Sequence, residues 1–303
     1  MASGPGDPRI GVIRAAIERL TLYFEAEQTR QGLLARAALG RSAPGDPALS
    51  LRLAGELSAA IRPDGSVGAA ALPTIWRAHE LMDLGLPASA PPLVRVMTWL
   101  LGLQGRPGAF GQGCERVRHA HRTCEHFVGG FFAPAPPEQR LAPVTLPSGK
   151  VFRAEPAARF ATSCFALRAA LRAGQVTQPV QQHLLSLSAL AAHWSDWSGY
   201  FAPDMVISGF HALALAGPEH RGTVDHLVDF IAAHQNEDGG WPNTDFFHVL
   251  DALNAVGADS ALSATQRAIP ALVARQREDG AFGSNARQER ALIGLRALLR
   301  AAP

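Results

Sequence analysis

Apolar residues along this chain fall into paired segments of helix length. Ala/Leu-rich stretches at 47–61, 91–104, 179–193, 223–234 and 265–276 form one set, and stretches at 69–84, 113–127, 155–173, 203–216, 244–256 and 285–301 form a second. The spacing of apolar positions predicts a helix for each. Several of the second set stop at a glycine (Gly85, Gly174, Gly217, Gly257), as helix C-termini often do, and Pro87, Pro91 and Pro179 lie at or just before the next helix. The second helix of each pair is apolar on nearly every side; 244–256 carries Phe246, Phe247, Val249, Leu250, Leu253 and Val256. Such a helix belongs in an interior, here the inner ring of a closed α/α barrel. One long or two short helices over 10–39 precede the pairs.

A short glycine turn separates the two helices of a pair. Gln235 to Trp241 (QNEDGGW), Gln276 to Phe282 (QREDGAF) and Gln104 to Phe110 (QGRPGAF) share one form: Gln, three residues, Gly, one residue, aromatic. Looser copies lie at Asp64-Gly65-Ser66-Val67, Ser148-Gly149-Lys150-Val151 and Ser198-Gly199-Tyr200-Phe201. The glycines at 65, 108, 149, 199, 239 and 280 are 43, 41, 50, 40 and 41 residues apart. A period of about 40 residues marks stacked two-helix units. The expected fold is all-α: a single α/α toroid of about six helical hairpins over 48–303, after an N-terminal helical extension over 1–47. One stretch, 129–153, holds five prolines where an outer helix is due. It reads as a long loop with a small hairpin around Pro147-Ser148-Gly149.

The Gln-x-x-x-Gly-x-aromatic turns resemble the repeat of the prenyltransferase and squalene cyclase superfamily, which includes protein prenyltransferase β-subunits and class II terpene cyclases. The resemblance spans about 48–301 and implies a toroid enclosing an apolar cavity for an isoprenoid chain. It also implies chemistry near the N-terminal ends of the inner helices, and a hydrophobic small-molecule substrate.

Polar residues interrupt the apolar second helices at a few places. Asp204, Ser208 and His211 follow i, i+4, i+7 and share a helix face; Asp245 and His248 share one at i, i+3. Two carboxylates and an imidazole can bind a divalent metal such as zinc. They can equally keep one carboxylic acid protonated as an acid catalyst, or cap helices and satisfy a core histidine. The resemblance adds that Asp245-Phe246-Phe247-His248 is similar to an Asp-aromatic-aromatic-His segment of prenyltransferase β-subunits, whose His binds catalytic zinc. Those subunits have Asp-x-Cys one repeat earlier; here the residues are Asp204-Met205-Val206, with no Cys. The class II cyclase motif Asp-x-Asp-Asp does not occur in the chain.

A dense segment, Cys114 to His126, packs two Cys and three His into 13 residues. His121 and Cys124 share a helix face and are candidates to complete a zinc site with Asp204 and His248; the segment can equally be a self-contained zinc site, or a polar helix whose His and Cys are incidental. Arg116, Arg118 and Arg122 are candidates for an anion or for surface ion pairs. Trp76, His79 and Glu80 share a face on another second-set helix. Trp76, Phe160, Phe201, Phe210, Phe246 and Phe247 are candidate cavity-lining aromatics able to stabilise a carbocation, or simply core. Cys164 reads as a buried small hydrophobe.

The 303-residue chain is 47% hydrophobic, enough for a large core, and its net charge of +2 gives no argument for nucleic acid. Lys150 is the only lysine. No apolar run reaches the ~18 residues that span a bilayer. The Gly/Pro-rich start lacks the apolar region of a signal peptide, so a cytoplasmic location with free thiols is expected. The leading expectation is a zinc-dependent enzyme that alkylates, cyclises or isomerises an isoprenoid-like substrate, with Asp204, Asp245 and His211 as catalytic candidates. The alternatives are a metal-free, Asp-initiated cyclase and a non-catalytic toroid that binds lipid or a helical protein partner.

Overall fold

The computed structural model of the chain describes residues 8–103, 140–192, 194, 196–197 and 203–302. Twelve α-helices occur among the described residues: α1 (Pro8–Glu25), α2 (Arg30–Ala38), α3 (Asp46–Ala59), α4 (Ala71–Asp83), α5 (Pro91–Gly102), α6 (Glu155–Arg172), α7 (Gln178–Ala191), α8 (Pro203–Leu213), α9 (Arg221–Ala233), α10 (Phe246–Asn254), α11 (Asp259–Ala274) and α12 (Arg287–Ala301). Two short antiparallel strands, β1 (Val144–Thr145) and β2 (Val151–Phe152), pair Val144 with Phe152. They form the small hairpin expected around Pro147-Ser148-Gly149. The glycine turns at 108 and 199 and the helix expected over 113–127 lie outside the described residues.

The stretch over 10–39 is two helices. Thr29 separates them, its hydroxyl accepting the Gly32 N–H at 3.2 Å as the cap of α2. Helix α11 begins at Asp259 rather than at 265, because Ala261 and Ala264 are buried and extend its apolar face backward. The two helix sets differ in burial as their patterns imply. All eleven residues of α8 are buried, whereas α3 buries only Ala54.

The chain divides into two compact units. One comprises Met1–Leu53, Pro147–Lys150 and Val228–Pro303. Within it α12 packs on α1, α2, α10 and α11, around fully buried Leu20, Phe24, Leu250 and Phe282. The other comprises Ala54–Leu146 and Val151–Leu227. Within it α6 packs on α4, α7 and α8, around Ile75, Phe160, Leu167 and Phe210.

Inside the first unit two glycine turns are wired alike. Gln235 donates through Nε2 to the carbonyls of Gly239 (2.9 Å) and Ala264 (3.0 Å), and accepts at Oε1 from Arg267 Nε (2.8 Å). Gln276 donates to the carbonyls of Gly280 (3.2 Å) and Ala16 (3.1 Å), and accepts from Arg19 Nε (2.9 Å) and Nη2 (2.7 Å). Gly239 and Gly280 have φ of +87° and +84°. A Cβ on Gly239 would meet the Arg267 carbonyl oxygen at 2.2 Å, and one on Gly280 the Arg19 carbonyl at 2.6 Å. Each position therefore needs glycine both for its backbone and for the close approach. Ala16 and Arg19 of α1 thus serve the last turn as Ala264 and Arg267 of α11 serve the one before.

Candidate active site

Helix α8 carries a buried polar stripe. Asp204, in its first turn, is 7% exposed, Ser208 3% and His211 3%. Among the described residues Asp204 is the only Asp or Glu that is buried. The Ser208 hydroxyl donates to the Asp204 carbonyl at 2.8 Å. The rest of α8 is apolar apart from Pro203 and Gly209. Gly209 marks the opposite side: a Cβ there would lie 2.4 Å from Trp194 Cη2 and 3.5 Å from Leu187 Cδ1 of α7. At 100° per residue Gly209 stands about 140° from Asp204 and about 160° from His211. The stripe therefore points away from the face that α7 and Trp194 cover. Phe160 of α6 meets Trp194 edge-on at 6.5 Å.

Asp204 belongs to the second unit, and Asp245 and His248 to the first. Asp245 is the N-cap of α10, its Oδ1 accepting the N–H groups of Phe247 (3.0 Å) and His248 (3.1 Å). Its Oδ2 accepts from Arg290 Nη2 of α12 at 2.8 Å. Arg290 also donates through Nε to the Ser148 carbonyl (2.9 Å), and its guanidinium lies 5.0 Å from the centre of the Phe247 ring. Phe247 further packs on Phe282 at 5.2 Å; Phe246 sits 5.9 Å from Trp241, with Arg275 4.5 Å from its ring centre. Arginines therefore stand over both rings. His248 is 2% exposed.

On α4, His79 is held on both sides. Arg172 of α6 donates to Nδ1 at 2.9 Å; a guanidinium has no acceptor, so Nε2 carries the ring proton and donates to the Phe165 carbonyl at 3.2 Å. The ring stacks on Phe165 at 4.4 Å, and Arg172 also bonds Asp83 at 2.7 Å. Trp76 is half-buried, and Glu80 pairs with Arg77 at 3.2 Å. Cys164 lies fully buried in α6, and burial pushes its thiol well above the usual range, against thiolate chemistry.

His121, Cys124, the rest of the 114–126 segment and Phe201 lie outside the described residues. Among the described residues no group of three or more His, Cys, Asp or Glu is arranged to hold a metal ion. Asp245 fits that role poorly, because Arg290 already places a cation against its carboxylate. Zinc thus gains no support from the described residues. Arg172 and Arg290 were not apparent as partners in the sequence; they act 93 and 45 residues from His79 and Asp245. Among the described residues no helix is long and apolar enough to cross a membrane.

No protein-family model matches the chain, and no curated protein matches it in sequence. Its structure is similar to that of an Asp-to-Asn variant of the type II terpene cyclase MstE from Scytonema, solved with its substrate geranylgeranyl dihydroxybenzoate. The TM-score is 0.56 with 12% identity, over 98% of this chain and 99% of that one. A likeness at that identity shows the fold: all-α, of the α/α toroid class that the glycine-turn repeat predicts.

Proposed function

We propose that the protein is an enzyme that cyclises an isoprenoid chain by protonating it, with Asp204 as the proton donor and no metal in that step. One observation carries this reading. Asp204 is the single buried carboxyl among the described residues, in the first turn of a helix buried along its whole length. The fold that holds it is similar to that of a type II terpene cyclase over 98% of the chain. The substrate of that neighbour, geranylgeranyl dihydroxybenzoate, suggests the class to try: a polyprenyl chain on a polar head.

The chemistry follows from those surroundings. The acid O–H of Asp204 breaks and its proton adds to a terminal alkene, leaving a carboxylate and a tertiary carbocation. Internal double bonds attack the cation in turn, each closing a ring, until a C–H proton is lost and an alkene forms. The product is an isomer of the substrate. Met205 and Ile207, on either side of Asp204 around α8, are buried apolar side chains that help exclude water, which would otherwise trap the cation.

The test incubates the purified protein with geranylgeranyl dihydroxybenzoate and with geranylgeranyl diphosphate, with and without EDTA, and follows products by mass spectrometry. A product of unchanged mass, formed equally in EDTA and absent for Asp204→Asn, is the expected result. Activity lost in EDTA would favour the zinc-dependent reading built on Asp204 and His248. Binding without turnover, unaltered by Asp204→Ala, would leave a lipid-binding toroid.

A further inference from the structure

Resting on that reading, we infer that His211 is the base that takes the terminating proton, so that the protein makes a cyclic alkene of more than one ring. Three polar side chains, Asp204, Ser208 and His211, stand in the buried helix α8. All eleven residues of α8 are buried, and a polar side chain in such a helix is costly unless it is hydrogen-bonded. The polar side chains Asp204, Ser208 and His211 stand on one stripe, and a seven-residue step drifts only about 20° around a helix. That stripe faces away from the contact of Gly209 with Trp194 and Leu187.

The other buried histidines are placed differently. His79 lies on α4, between Arg172 and the Phe165 carbonyl. His183 lies on α7, and His248 on α10 of the other unit. His220 sits in the short 3₁₀ turn Pro218–His220, beside Glu219. His211 alone shares a helix face with Asp204.

Distance then assigns the two ends of the reaction. A rise of 1.5 Å per residue sets His211 about 10 Å along the axis from Asp204. The proton enters the substrate at the alkene beside Asp204. As rings close, the positive charge moves down the chain, away from the carboxylate that remains. A separation of about 10 Å is several C–C bonds long, so the cation reaches His211 only after more than one ring has closed. A neutral imidazole nitrogen then forms an N–H bond with a proton on the carbon next to the cation. The electrons of the broken C–H bond become the new double bond. One proton enters and one leaves, and both residues are reset by exchange with solvent. Ser208 lies between the two; its own proton is committed to the Asp204 carbonyl.

The experiment compares wild type, Asp204→Asn, His211→Ala and His211→Gln on geranylgeranyl dihydroxybenzoate in D2O, with a thermal melt of each protein. Wild type should give a polycyclic alkene carrying one deuterium. Both His211 variants should still consume substrate, with the share of that alkene falling by about 10²-fold, the scale of a general base. Isomeric alkenes or a water-trapped alcohol should replace it. A folding defect would slow turnover without altering this ratio, and the glutamine variant keeps a polar side chain of similar size. The same alkene in the same proportion from either folded His211 variant would overturn the inference while leaving Asp204 as the acid. Loss of all consumption in a folded His211 variant would also overturn it, placing His211 in the first step. No product from wild type would instead sink the cyclase reading itself.

Discussion

Arg290 and the first turn of α10 use both oxygens of the Asp245 side chain. Two substitutions separate the cap from the charge. Asparagine keeps an oxygen for the Phe247 and His248 N–H groups but leaves Arg290, whose side chain is 13% exposed, without its counter-charge. Alanine removes both. Asp245→Asn is expected to cost about 1–2 kcal/mol and Asp245→Ala about 2–3 kcal/mol, from the usual worth of an N-cap and a half-buried ion pair. Urea unfolding gives both numbers. Product formation by the folded fraction should survive, whereas Asp204→Asn should abolish it if Asp204 is the proposed acid; a turnover loss as complete in Asp245→Asn would return Asp245 to the chemistry. The aspartate and histidine of this segment were visible as a pair from their spacing. The arginine that decides what the aspartate does was not, because it lies 45 residues away on α12.

At the level of elements, the glycine turns at Gly239 and Gly280 work as clasps. Each glutamine ties its turn to a carbonyl on a neighbouring helix, and an arginine three residues further along that helix returns the bond. For the last turn the partner helix is α1, reached across 260 residues from Gln276 to Ala16. The turns themselves were legible, since Gln, Gly and aromatic fall within seven residues. The pairing with α1 was not, as nothing local to Ala16 or Arg19 announces it. Helix α1 also buries Leu20 and Phe24 completely, so it contributes apolar burial as well as the clasp. Gly280→Ala should therefore be among the more damaging single changes, at about 2–4 kcal/mol, since it combines positive φ with a clash against backbone. Gln276→Ala should cost less, about 1–2 kcal/mol, the worth of the hydrogen bonds lost from a half-buried site. Thermal melts of the two variants rank them; the reverse order would mean that the glutamine network, not the close approach, holds α1 in place.

For the molecule as a whole, acid stability joins the folded and unfolded states through groups that sequence cannot place. His183 on α7 is fully buried, and burial lowers its pKa from 6.5 to about 4. The unfolded chain therefore binds a proton at this residue between pH 6.5 and 4 that the folded chain refuses. Stability is complete above about pH 6.5, falls with pH through that window, and stops falling from this cause near pH 4, with a total of about 3 kcal/mol. A second loss begins lower. Hydrogen bonds from the Arg36 side chain hold the Asp46 carboxyl below its usual range. Burial alone would raise Glu155, but the Ala142 and Leu141 N–H groups and Arg159 outweigh it and leave it depressed. These carboxylates stabilise the fold above their ordinary values and lose that contribution only as pH drops through the depressed ones. Acid unfolding should thus come in two stages, imidazole first and carboxylates after. Comparing urea unfolding of wild type and His183→Leu at pH 7, 5.5 and 4 isolates the first stage, because every other group is common to both proteins. The wild type should lose about 3 kcal/mol more than the variant between pH 7 and 4. Parallel curves over that range would show that His183 takes up its proton in the folded state, and that α7 tolerates a charge at this position.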